Sequence, residues 1–200
     1  MEIVIGITGA SGVIMGERLL AALKQMKKIT THLVMTDSAK KTLELETELR
    51  PRDVMCHADY VYENDDMSAR IASGSFAVDA MIIIPCSMKT LAGIVSGYAE
   101  SLLLRAADVT LKERRPLVLV PREMPLSRVH LRNMSAAADL GCAIVPPMLT
   151  FYNGADTLDA QIDNVIGRVL MQIGITYKEF HPWTGKKVRK SQYEEMSLFD

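Results

Sequence analysis

A doubly wound parallel α/β sheet with helices on both faces is predicted, and three features carry that prediction. Five continuous apolar runs, Ile3–Ile7, His32–Thr36, Ala80–Ile84, Leu117–Val120 and Ala143–Val145, have the pattern of strands buried on both faces, as parallel strands are. Helical stretches separate them, so the chain repeats strand, helix, strand. Glycines cluster where the first run ends and the first helix begins, and such sheets take their ligands at the carboxyl ends of their strands.

The first strand gives way to Thr8-Gly-Ala-Ser-Gly12. Gly9 and Gly12 let the backbone turn tightly and approach a ligand. Thr8 and Ser11 carry hydroxyls that can donate, and the free N–H groups and positive end of the next helix attract an anion. A phosphate-bearing ligand is the expectation. The glycines are spaced G-x-x-G-x-x-G, whereas the dinucleotide fingerprint is G-x-G-x-x-G. Asp37, the candidate ribose-binding carboxylate, lies farther on than the usual ~20 residues, so a nicotinamide reading is weak. No Tyr is followed four residues later by Lys, as a short-chain reductase requires.

The first helix, about Val13 to Lys27, sets Leu19, Leu20, Leu23 and Met26 on one side. The segment from Arg50 to Ser75 is irregular, with Tyr60, Tyr62, Glu63, Asp65 and Asp66 ahead of Ser73-Gly74-Ser75, and reads either as a site-covering loop or as a solvated connection. Gly141 after Leu140 is a helix stop. The last helix, about Thr157 to Ile173, spaces Leu158, Ile162, Val165, Ile166, Val169 and Ile173 by threes and fours, with Asp156 or Thr157 as its N-cap. Beyond Gly174 the period fades and charges accumulate. Residues 1–183 are expected as one domain and 184–200 as a charged tail, lying on the surface or packing on a neighbouring subunit through Trp183.

Two hundred residues, 48% of them hydrophobic, suffice for one full core. A net charge of −1 argues against nucleic acid as a partner. The apolar runs are too short to span a bilayer and no secretory signal is visible, so a cytoplasmic protein is expected. Cys56, Cys86 and Cys142 are far apart and make no metal-ligand spacing with the four histidines, so neither a metal site nor a disulfide is expected. Cys86 follows a strand, where it either touches a ligand or is a buried inert thiol, the latter being favoured.

Residues just past the strand ends are the site candidates: Thr8–Gly12, Thr36–Ser38, Cys86–Thr90 and Pro121–Glu123, all rich in hydroxyls, glycines or charges. Ser87 and Thr90 can hold a phosphate or a ring edge, and Ser87 can also cap the helix it opens. Arg122-Glu123 has little structural reason to follow a strand. Arg105, set among Leu102–Leu104 and Ala106–Ala107, needs a carboxylate, a phosphate or a neighbouring subunit. Lys112, Arg114 and Arg115 suit the negative end of their helix. Tyr152 and Arg168, if they converge, make a second anion site of one phenol and one guanidinium.

Several segments together resemble the UbiX-type flavin prenyltransferases over about residues 3 to 183. They are Gly6-Ile-Thr-Gly-Ala-Ser-Gly12, Ser73-Gly74-Ser75, Pro85-Cys-Ser-Met-Lys-Thr-Leu-Ala92, Arg105-Ala-Ala-Asp-Val109, Leu111-Lys-Glu-Arg-Arg-Pro-Leu-Val-Leu-Val-Pro-Arg-Glu123 and Phe151-Tyr152. The resemblance implies transfer of a dimethylallyl group from dimethylallyl monophosphate to reduced FMN, without a metal. The product, prenylated FMN, would serve a UbiD-type decarboxylase. It further implies that Gly9, Ala10, Ser11, Thr36, Ser87, Met88, Lys89, Thr90 and Arg122 hold FMN. Lys112, Tyr152 and Arg168 would hold the allylic phosphate, Lys112 from a neighbouring subunit of a homo-oligomer, commonly a dodecamer. Glu123 and Glu46 are the implied proton carriers, with Ser11 near flavin N5. Members of the family linked to ubiquinone synthesis often carry Trp where this chain has Asp66, and an aromatic face there would stabilise an allylic cation. Two other readings stand beside it: an FMN-dependent peptidyl-cysteine decarboxylase and a non-catalytic flavin-binding subunit of a decarboxylase.

Overall fold

Six strands form one sheet: β1 (Glu2–Ile7), β2 (Thr30–Met35), β3 (Tyr60–Tyr62), β4 (Ala80–Cys86), β5 (Leu117–Pro121) and β6 (Ala143–Ile144). A computed structural model describes residues 1–183 and Gly185, so the expected charged tail lies, apart from Gly185, outside the described residues. All neighbours pair in parallel, in the order β3-β2-β1-β4-β5-β6. The order reverses between β1 and β4, which makes that point the crevice where an open α/β sheet binds ligands. The helices are α1 (Ile14–Lys24), α2 (Asp37–Glu46), α3 (Pro51–Met55), α4 (Met88–Ser96), α5 (Leu102–Lys112), α6 (Arg128–Asp139) and α7 (Leu158–Met171).

The apolar runs pack as their uninterrupted hydrophobicity requires. Side chains alternate across a strand, so Ile3, Ile5, Ile7, Leu33, Met35, Ile82 and Ile84 share one face with Leu19, Leu20 and Leu23 of α1 and Ile166 and Leu170 of α7. Val4, Val34, Met81, Ile83, Leu117 and Leu119 face the other way, onto Leu91 of α4 and Leu102, Leu103 and Ala107 of α5. Each fully buried Ile or Leu contributes about 1.5–3 kcal/mol, and the two layers hold the central strands rigid.

The segment from Arg50 to Ser75 is not an unstructured connection. It contributes α3, the edge strand β3 and a short 3-10 turn at Arg70–Ala72. The fully buried His32 explains why β3 forms: its ring stacks on Tyr60 at 5.0 Å, and its nitrogens meet Tyr62 Oη at 2.9 Å and Glu2 Oε2 at 2.6 Å. Asp66 accepts from the Ser68 N–H and hydroxyl and so closes a local turn. The Ser73-Gly74-Ser75 turn lies against the end of α5, where Arg115 donates to Gly74 O and Phe76 O. Arg105 finds its carboxylate one turn on, with Nη1 at 2.7 Å from Asp108 Oδ2, and donates Nε–H to Ala72 O.

Candidate functional site

Three main-chain bonds draw the loops past the strand ends onto one edge of the sheet. Thr8 N–H donates to Pro85 O, Thr36 N–H to Ile7 O and Arg122 N–H to Cys86 O, at 3.2, 3.0 and 3.2 Å. The glycine turn, Thr36, Ser87 and Arg122 are thereby gathered, as the topology rule requires. The N-termini of α1, α2 and α4 come to the same edge. Thr36 and Ser87 cap α2 and α4, accepting from Ala39 N–H and Thr90 N–H. Three helix starts present unpaired N–H groups and positive partial charge where a phosphate would sit.

Glycine is required twice in the turn. Gly12 has φ +92°, a left-handed conformation that side chains disfavour. A Cβ at Gly9 would press into Ser38 Cβ and stand 3.1 Å from the Ser38 carbonyl carbon. The Thr8 hydroxyl departs from expectation: it donates to Pro85 O and accepts from Ser87 N–H, both at 2.8 Å, and is buried. Thr8 is a tie between β1 and β4 and has no hydrogen to spare for a ligand. Glu46, at the end of α2, accepts from Gly12 N–H at 2.8 Å, which brings its carboxylate to the turn beside Ser11.

A cleft of about 1020 Å³ opens beside the turn, at the upper end of the size range of small-molecule sites. Of the nine residues expected to hold the cofactor, Gly9, Thr36, Ser87, Lys89 and Thr90 line it, whereas Ala10, Ser11, Met88 and Arg122 do not. Arg122 and Glu123 are exposed past β5, with Glu123 Oε1 accepting from Met124 N–H. Sequence reasoning missed the far wall, made by Asn64 and by Arg132 and Asn133 of α6. Asn64 also caps α5, accepting Leu102 N–H on its carbonyl and Leu103 N–H on its side chain. An Asn set between Glu63 and Asp65-Asp66 was the available signal.

Tyr152 and Arg168 do converge. They line a separate pocket of about 340 Å³ together with Thr150 and Asn164, between β6 and α7, and among the described residues none lines both cavities. The Tyr152 ring meets Trp183 edge to face at 5.6 Å between centroids. Lys112 is elsewhere: its ammonium holds Glu113 at 2.6 Å, beside the Gly74 turn, and lowers the Glu113 carboxyl below its ordinary range. Within one chain the three expected phosphate ligands are therefore two plus one. Cys86 is buried and burial pushes its thiol far up, while burial raises Cys142 to about 11, so both are inert thiols at neutral pH.

Fold and site together define an α/β protein with a glycine-turn cradle suited to a phosphate-bearing ligand at the carboxyl edge of a parallel sheet and a separate, smaller pocket of one phenol and one guanidinium. Comparison with known proteins agrees and goes further. The flavoprotein family model matches residues 1–173. A probable UbiX-like flavin prenyltransferase of Sedimentibacter hydroxybenzoicus is 55% identical over 187 residues, 94% of this chain and 99% of that protein. Among solved structures, a dodecameric FMN-dependent UbiX-like decarboxylase from Escherichia coli O157:H7 superposes with a TM-score of 0.91 at 53% identity, over 92% of this chain and all of that one. AnUbiX (PadA1), in complex with FMN and dimethylallyl pyrophosphate, superposes with a TM-score of 0.90 at 46% identity, covering 93% and 98%. The chain belongs to the flavoprotein family and, within it, to the UbiX-type flavin prenyltransferases.

Proposed function

We propose that this protein moves a dimethylallyl group from dimethylallyl monophosphate to reduced FMN, releasing phosphate and making prenylated FMN for a UbiD-type aromatic acid decarboxylase. The observation that carries the reading is the meeting of Tyr152 and Arg168 in one pocket, apart from the glycine turn. A carrier of flavin needs the first site alone; a transferase using an allylic phosphate needs both.

The residues suit FMN, whose phosphate requires a close backbone approach: at Gly9 even a methyl group would crowd Ser38, and three helix N-termini face the turn. Gly9, Thr36, Ser87, Lys89 and Thr90 would hold it, with Ala10, Ser11, Met88 and Arg122 closing on it from beside the cleft. When bound, reduced FMN supplies the nucleophilic N5 and C6 positions. Arg168 and the Tyr152 hydroxyl would bind the allylic phosphate and stabilise the charge it gains as its ester bond breaks. Lys112 of a neighbouring subunit would add a second cation, which fits its distance in sequence and in space from that pocket and an assembly like that of the dodecameric relative. Glu46, held at the turn by Gly12 N–H, would pass a proton to departing phosphate, and Glu123 would accept the proton released at C6. The same reading puts the enzyme in the cytoplasm, which suits an exposed free thiol at Cys56.

The test is anaerobic incubation with reduced FMN and dimethylallyl monophosphate, followed by mass spectrometry of the released flavin. A flavin heavier by one five-carbon unit is expected. Oxidative decarboxylation of a cysteine peptide by the FMN-loaded protein, with no such product, would favour the peptidyl-cysteine reading instead.

A further inference from the structure

α7 carries two stripes. Ile162, Val165, Ile166, Val169 and Leu170 are buried in the core, while Gln161, Asn164 and Arg168 recur at spacings of three and four on another side, toward the segment that holds Tyr152. That segment has little apolar anchorage, since Leu149 is 66% exposed and Phe151 86%. What holds it is polar. The Gln161 carboxamide accepts Thr150 N–H at 2.9 Å and donates to Thr150 O at 2.8 Å and to Ala155 O at 2.7 Å. Both main-chain groups of Thr150 are thus paired as they would be in a strand, and the same nitrogen ties down the other side of Tyr152. Asn164, buried in the pocket wall, adds a bond from Nδ2 to Thr150 Oγ1 at 2.6 Å, while its Oδ1 has no partner among the described residues.

We propose that Gln161 is a positioning residue: it clamps the 150–155 segment so that the Tyr152 hydroxyl stays across the pocket from Arg168. The kinetic part of this inference rests on the prenyl-transfer reading, whereas the structural part does not. Loss of the carboxamide leaves Thr150 N–H, Thr150 O and Ala155 O with water alone, and no buried side chain of the segment replaces it. Asn164 alone, bonded to a single rotatable hydroxyl, fixes neither the direction of the peptide nor the far side of the loop. Substrate binding then has to order the loop, which raises KM for the allylic phosphate and leaves the flavin site untouched.

Gln161→Met, of similar length but unable to pair with the backbone, tests this in the full chain. KM for dimethylallyl monophosphate is expected to rise about tenfold with kcat changed less than about threefold, as loss of one to two net hydrogen bonds in the ordered loop implies. FMN affinity should stay within about twofold, and amide exchange across residues 148–157 should quicken. Adding Tyr152→Phe should raise KM by less than its effect in the native background, because the loop no longer presents the phenol. An unchanged KM and unchanged exchange would overturn the proposal, and a lowered Tm with unchanged KM would reduce Gln161 to a structural residue. If the native protein makes no prenylated flavin the function fails, and the exchange measurement still decides whether the clamp exists.

Discussion

Gly9→Ala isolates the close approach on which the phosphate cradle depends. The added methyl would overlap Ser38 Cβ and lie 3.1 and 3.3 Å from the Ser38 carbonyl carbon and Cα, so the obstacle is a Cβ that no rotamer change moves, with the backbone of the first turn of α2 close behind it. Forcing a methyl into such a contact costs about 1–3 kcal/mol. With a urea m-value of ~2 kcal/mol per molar, the unfolding midpoint should fall by about 0.5–1.5 M. The strain has only two outlets, the glycine turn and the α2 N-terminus, so FMN affinity, followed by flavin fluorescence quenching, should drop at least tenfold. Ser38→Gly alone costs about 0.5–1 kcal/mol, because it places glycine in a helix. In the double variant it removes the worst overlap, so the pair should be less destabilised than the sum by about 1 kcal/mol or more. Additive effects, or a Gly9→Ala protein with native midpoint and native FMN affinity, would refute the reasoning.

Three further outcomes follow from the geometry. Thr8→Val keeps the shape but strips two buried hydrogen bonds and leaves Ser87 N–H unpaired, which should cost about 2 kcal/mol and lower Tm by roughly 4–8 °C in a thermal melt. Burial raises the Cys142 thiol to about 11 and raises Cys86 and Tyr177 as well, so the folded state holds protons that the unfolded chain releases sooner. That stability is full below pH about 9 and should be lost as pH rises toward 11, giving a falling urea midpoint that is shallower in Cys142→Ala. At neutral pH iodoacetamide should label exposed Cys56 first, with Cys86 and Cys142 reacting only on unfolding, as peptide mapping will report.

The parts of this molecule that were legible in its sequence are those fixed by local pattern. Ile3–Ile7 and Ala80–Ile84 announce central parallel strands because both of their faces are buried, and Thr157 and Gly141 mark helix ends through capping and positive φ. β3 escaped notice because it is three residues long and exposes Tyr60 and Val61; its existence depends on the His32 ring, a partner 28 residues away from Tyr60. The Thr8 hydroxyl was misjudged for a similar reason, since its acceptor is 77 residues distant. The site edge was readable from strand ends, but the α6 wall and the Gln161 clamp were not. Both are made by polar residues on helices whose pattern reports only the opposite, buried face. Lys112 was readable as a cation at the negative end of its helix, apart from Tyr152 and Arg168, and that is where it lies; its joining them from a neighbouring subunit is implied by the resemblance alone.

The proposed reaction turns on delivery of an allylic group from a phosphate held by Tyr152 and Arg168 to flavin held at the glycine turn. Its most direct test is to measure inorganic phosphate and prenylated flavin together, in anaerobic single-turnover reactions of the native protein and of Arg168→Ala. One phosphate is expected for each flavin gaining five carbons, with a fall of at least about a hundredfold in both for Arg168→Ala and FMN binding preserved, as loss of a charged group stabilising the departing phosphate implies. Native rates of both products in Arg168→Ala, or flavin that binds to the native protein and stays unmodified, would contradict it.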